Sequence, residues 1–170
     1  MIVGHGIDLC SVSRIRRMIE THGARFLERT FTPAEIAYAR RRQEGVEETL
    51  AARFAAKEAV MKVLGTGWTE GVGFLGVEVL NESGGKPYVV LHEGAAEKAK
   101  ALGITAWHLS ITHTEDLAVV SAVAERPEVP AGKIARNSRA SRIDATSKNG
   151  LGASARAVFA PLLLTLSPHA

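Results

Sequence analysis

The chain has 170 residues, 46% of them hydrophobic and 23% charged, with a formal net charge of +3. That much apolar side chain closes one core, most simply a single domain with an appendage. One cysteine, Cys10, excludes an internal disulfide framework, and no apolar run approaches the roughly 20 residues that span a bilayer, so a cytoplasmic chain without a membrane span is expected.

Residues 1–9, MIVGHGIDL, alternate as a strand, with Val3, His5, Ile7 and Leu9 on one face and Ile2, Gly4, Gly6 and Asp8 on the other. No basic residues precede the apolar ones, so a secretion signal is not expected. The glycines on the Asp8 face leave the space that a bulge or a close backbone approach requires. Ser11 is placed to cap a helix that runs to about His22 and stops at Gly23, with Ile15, Met18, Ile19 and His22 as its apolar row. Thr32-Pro33 opens a second helix reaching Arg42. A long, alanine-rich helix over 47–64 follows, stopped by Gly65 and Gly67. Strands near Gly76–Leu80 and Tyr88–Leu91 flank a turn at Asn81–Pro87, and Glu93–Leu102 suits a short helix ended by Gly103. Trp107–His113 and the apolar run Ala118–Ala124 pair as a hairpin around Thr114–Asp116. The expected fold is α+β, an antiparallel sheet packed with the long helix, over residues 1–126.

Beyond Pro127 the periodicity fails. Residues 127–170 hold six Lys/Arg against two acidic residues, which leaves 15 basic and 16 acidic in 1–126. The segment reads as a basic, low-order extension. The positive charge belongs to it, so a nucleic-acid-binding face on the domain gains little support.

The stretch RFAAKEAVMKVLGTG, Arg53–Gly67, carries Glu58 and Lys62 one turn apart, on a row running down from Ala51 and Ala55. As a solvated i,i+4 pair they would contribute about 0.2–0.5 kcal/mol. Small residues beside a carboxylate also let another backbone, or a ligand, come close to it. Asp8 either caps the following helix or holds a metal. His113 in LSITHT either ends a core face or lines a site, and Lys86 in the Gly84-Gly85-Lys86-Pro87 turn is solvated or meets a ligand. Together they suggest a chemistry. Two carboxylates suit a hard cation, and Mg²⁺ characteristically takes one or two carboxylates, waters and substrate phosphate. A lysine one turn from such a carboxylate can neutralise phosphate charge. There is no Walker motif, dinucleotide GxGxxG loop or nucleophile elbow.

GIDL at Gly6–Leu9, the block Arg53–Gly67, GKPYV at Gly85–Val89 and LSITHT at Leu109–Thr114 occur in this order across nearly all of residues 1–125. In these motifs the chain resembles the holo-acyl-carrier-protein synthases, the small bacterial type of 4′-phosphopantetheinyl transferase that serves fatty acid biosynthesis. The resemblance implies catalytic roles for Asp8, Glu58 and Lys62, with Asp8 and Glu58 holding Mg²⁺ at the coenzyme A pyrophosphate and Lys62 contacting that pyrophosphate. It implies coenzyme-binding roles for Arg53, Gly65, Lys86, Pro87 and His113, and a docking surface for acyl carrier protein at Arg14, Met18, Arg25 and Phe26. It further implies a homotrimer with sites between subunits. The acceptor of the carrier serine's proton stays open between Glu58 and a water on the metal. Family members often carry basic residues just before the long helix; here Glu44, Gly45, Glu47 and Glu48 stand there, and Arg40–Arg42 lie slightly earlier.

Two rival functions stand beside this one. A Mg²⁺-dependent nucleotide phosphodiesterase would employ the same carboxylates with water as acceptor. A basic RNA-associated module would work through the lysines and arginines of 133–156, and its salt-sensitive binding would vanish on truncation at Pro127.

Overall fold

The computed structural model describes residues 1–41, 45–66 and 72–128, all within the unit that ends at Ala131. In chain order these form β1 (Ile2–Ser11), α1 (Val12–Thr30), α2 (Pro33–Arg41), α3 (Val46–Leu64), a 3₁₀ turn (Phe74–Gly76), β2 (Val77–Asn81), β3 (Pro87–Leu91), α4 (Glu93–Ala101), β4 (Ala106–His113) and β5 (Leu117–Glu125). The fold is α+β, as expected. Gly67, Arg42 and Glu44 lie outside the described residues, as does the basic extension from 129 onward. No described helix is long and apolar enough to cross a membrane.

The first and last strands pair: β1 runs antiparallel to β5, which runs antiparallel to β4, giving a sheet of order β1-β5-β4. β2 and β3 form a separate two-stranded sheet. β5 alternates strictly, with Ala118, Val120, Ala122 and Ala124 buried against α3. α3 is no amphipathic surface helix. Thirteen of its nineteen residues are buried, including Ala51, Ala55, Ala56 and Ala59, because the sheet packs on one side while α1 and α2 cover the other.

The alanines are therefore core, and they let backbones meet. A Cβ on Gly6 would lie 2.0 Å from the Ala59 carbonyl oxygen, and one on Gly4 would lie 3.1 Å from Val63. Both uses foreseen for these glycines occur, since the β1–β5 register also shifts between Ile2 and Gly4.

One helix boundary differs from expectation. Gly23 (φ 55°, ψ −136°) breaks the first helix, but helical backbone resumes and continues to Thr30. Glycine permits the break, while Phe26 and Phe31 pull the second segment onto the core in an edge-to-face pair with centroids 5.9 Å apart. α2 begins with a capping box: Thr32 N–H donates to Glu35 Oε2 at 2.8 Å and Glu35 N–H donates to Thr32 Oγ1 at 3.4 Å.

Candidate active site

An α-helix advances 100° per residue, so Glu58 and Lys62 share one flank of α3 while Arg53 points to the opposite one. On the first flank, Lys62 Nζ donates to Asp8 Oδ1 at 2.8 Å and to the Ile7 carbonyl at 2.7 Å. The Asp8 carboxylate faces α3 and engages Lys62, while Ser11 stands at the N-cap of α1 without a side-chain capping bond. Cys10 is the next inward-facing residue of β1. Burial pushes its thiol up to about 11, Arg14 pulls it back, and Asp8 and Glu58 push it further up. A thiol raised this far stays protonated at neutral pH.

Asp8 and Glu58 thus converge on one neighbourhood and keep partial access to solvent. Among the described residues no group of three or more His, Cys, Asp or Glu could hold a metal. A two-carboxylate oxygen set is too sparse for structural zinc but matches the protein share of a Mg²⁺ site completed by water and phosphate. Gly65, the left-handed C-cap of α3 (φ 69°), ends the helix one turn past Lys62; its N–H bonds to the Lys62 carbonyl at 3.2 Å.

The opposite flank opens on a cleft of about 510 Å³, lined by Tyr38, Arg41, Arg53, Asn81, Gly85 and His113 among others. That volume suits a nucleotide-sized ligand. Arg53 is only 4% exposed; its guanidinium lies 4.2 Å from the Tyr38 ring centroid and donates to Asn81 Oδ1 at 2.8 Å. Asn81 in turn donates to the Gly85 carbonyl at 2.9 Å, fixing the turn that presents exposed Lys86 and half-buried Pro87. His113 is exposed at the mouth. Of the arginines before the long helix, Arg41 lines the cleft. Cations without a carboxylate among these wall residues favour phosphate.

The expected site residues therefore fall into two groups. Across the sheet, Asp8, Val120 and Ile111 share one row, as do Cys10, Ala118 and His113, so two strand spacings, roughly 10 Å, separate the β1 and β4 members. α3 lies over that interval. The two groups thus lie on opposite flanks of α3.

Arg14 and Arg25 are exposed on α1, and Met18 is half-buried beside them. Arg14 lies 5.0 Å over the Phe54 ring. Phe26 is 7% exposed and packs edge-on against Phe31. Tyr38, Asn81 and the buried pair Glu35–Lys57 had no sequence reading as site residues. The Thr32-x-x-Glu35 spacing was the one available signal, and it marks a cap rather than a site.

Residues 4–120 match the model of the 4′-phosphopantetheinyl transferase superfamily. The chain belongs to this family. It is an enzyme of the transferase class, and its likeness to characterised members covers the described body. A holo-[acyl-carrier-protein] synthase of Solibacter usitatus is 50% identical over 125 residues, 74% of this chain and 99% of that protein. The crystal structure of the Neisseria meningitidis holo-[acyl-carrier-protein] synthase matches at TM-score 0.68 and 34% identity, over 74% of this chain and all of that one. The Bacillus anthracis synthase, solved in complex with CoA (3′,5′-ADP), matches at TM-score 0.62 and 37% identity over 75% and 99%. These family members share the antiparallel sheet and helices seen here.

Proposed function

We propose that this chain transfers the 4′-phosphopantetheine arm of coenzyme A to a serine of apo acyl carrier protein and releases adenosine 3′,5′-bisphosphate. The observation that carries this reading is the pairing, on one helix, of a carboxylate–lysine cluster with a cationic, nucleotide-sized cleft. Solved relatives from Bacillus anthracis and Helicobacter pylori were crystallised with coenzyme A, which is the ligand these two chemistries suit.

In this reading the catalytic unit is residues 1–126. Arg41, Arg53 and His113 take the phosphates of the nucleotide end, and Lys86-Pro87 borders the base. Lys62 moves from Asp8 to the pyrophosphate. Asp8 and Glu58 would hold Mg²⁺, which when bound would supply positive charge to the pyrophosphate. The serine Oγ of the carrier attacks the β-phosphorus in line, the bond to the bisphosphate oxygen breaks, and the serine proton is lost. Glu58 stands on the correct flank to receive it. Positioning and electrostatics supply most of the rate.

The reading also requires more than one copy. Because the two half-sites face away from one another across α3, a complete site combines the Asp8 flank of one subunit with the Arg53 flank of the next, as in a homotrimer. The outward face of β1 supports this arrangement: Ile7 and Leu9 are 55% and 61% exposed, and burying each in an interface contributes about 1.5–3 kcal/mol. Exposed Arg14 and Arg25 offer complementary charge to an acidic carrier, which speeds encounter and sets orientation. Product analysis tests the reaction class. Bisphosphate should appear only when carrier protein is present; release with water alone as acceptor would make the chain a phosphodiesterase.

A further inference from the structure

Glu35 and Lys57 are both fully enclosed, 2.8 Å apart, and the reaction above uses neither. Every polar atom of the pair is occupied. Lys57 Nζ donates to Glu35 Oε2, to the Phe74 carbonyl at 2.9 Å and to the Val77 carbonyl. Glu35 Oε2 also accepts from Thr32 N–H, and Oε1 accepts from Val79 N–H at 3.0 Å. One ion pair therefore joins the start of α2, the middle of α3, the 3₁₀ turn and β2.

Stability alone does not explain it. A buried ion pair is often no better than an apolar pair of equal volume, because desolvation offsets the attraction. What apolar side chains could not do is satisfy the two carbonyls and the amide that β2 and its approach aim inward. The pair thereby fixes how β2 sits against α2 and α3. Each of these three elements then supplies one member of the cleft wall close by: Tyr38 lies three residues after Glu35, Arg53 four before Lys57, and Asn81 two after Val79. The second set repeats the first one turn along, with Arg53 stacked on Tyr38 and bonded to Asn81.

We infer that Glu35 and Lys57 are positioning residues for the nucleotide half-site, holding α2, α3 and β2 in the register that aims Arg53 into the cleft. The inference rests on the coenzyme A reading of that cleft. The pair sets affinity for the nucleotide end of the coenzyme and leaves carrier recognition, on α1, untouched.

The test uses full-length chain carrying Glu35→Gln, and separately Glu35→Leu with Lys57→Met, with folding followed by circular dichroism. Calorimetric binding of adenosine 3′,5′-bisphosphate should weaken about tenfold, the loss expected for one charge-assisted hydrogen bond. KM for coenzyme A should rise by a similar factor, while kcat and KM for carrier protein stay within about twofold of wild type, since neither uses this wall. In an Arg53→Ala background, Glu35→Gln should add nothing, because the pair acts through Arg53. Unchanged bisphosphate affinity in a folded variant overturns the inference, as do additive effects with Arg53→Ala. Failure of both variants to fold would assign the pair to stability alone and equally overturn it. If wild type itself binds no bisphosphate, the coenzyme A reading of the cleft fails first.

Discussion

Arg53 and Lys62 stand on the same helix, nine residues apart, and point from opposite flanks: Arg53 lies against Tyr38 and Asn81, Lys62 reaches Asp8. Neither can be turned toward the other without unwinding α3, whose alanine face is locked to the sheet at Gly6. In the proposed reading, a site that needs both takes them from different copies. At coenzyme A concentrations too low for Arg53→Ala to turn over, mixing it with inactive Glu58→Ala should restore activity, approaching about a quarter of wild type for random 1:1 assembly of sites between neighbours. Mixtures as inactive as their components would place both half-sites in one subunit.

Lys62 should matter more in the transition state than in binding. In the proposed reading its ammonium leaves Asp8 for the pyrophosphate, where charge develops on the departing bisphosphate. Lys62→Ala should lower kcat by about 10²–10³, the usual cost of one preorganised electrostatic donor, with a smaller change in KM for coenzyme A. Steady-state kinetics decide it; a pure KM effect would reduce Lys62 to a binding contact.

The β1–α3 contact predicts a stability effect at a single glycine. A Cβ on Gly6 would meet the Ala59 carbonyl at 2.0 Å, and that oxygen belongs to the helix backbone. Gly6→Ala should cost about 1–3 kcal/mol or more, the range for overpacking a filled core. Urea titration measures it. A neutral result would mean that α3 and β1 can slide apart, and that Asp8 and Lys62 are not rigidly placed.

A pH effect follows from Glu78. Burial raises its carboxyl, but the hydrogen bonds from Thr32 and His92, with the charges of His92 and Lys57, outweigh that and hold it below the ordinary 4.5. A depressed carboxyl stabilises the fold above its unfolded pKa, and that contribution is lost as pH falls through the folded value. Thr32→Val removes the 2.6 Å bond. Its melting temperature, lower at every pH because the α2 cap is also lost, should fall less steeply than wild type between about pH 5 and pH 3. Parallel slopes would contradict the assignment.

Most elements were legible because each follows from local chemistry. The apolar run 118–124 after its turn and the glycine after Leu64 mark their elements directly. Helix periodicity alone placed Glu58 and Lys62 on one flank. What could not be read was long-range pairing. Nothing local says that Lys62 meets Asp8, 54 residues away, or that Lys57, beside it, is wholly enclosed with Glu35. A lysine in an alanine-rich helix looks solvated until the carbonyls of Phe74 and Val77 are seen to face it. Phe26, whose docking role came from the family resemblance, is turned inward after the break at Gly23, a placement no local pattern announced.

The central claim is transfer of phosphopantetheine by the Asp8–Glu58–Lys62 cluster. Intact-protein mass spectrometry of apo acyl carrier protein, incubated with this chain, coenzyme A and Mg²⁺, tests it directly. The account predicts a gain of one phosphopantetheine on the carrier serine with wild type and none with Glu58→Ala. An unmodified carrier with wild type across several carrier proteins, or full modification by Glu58→Ala, would contradict it.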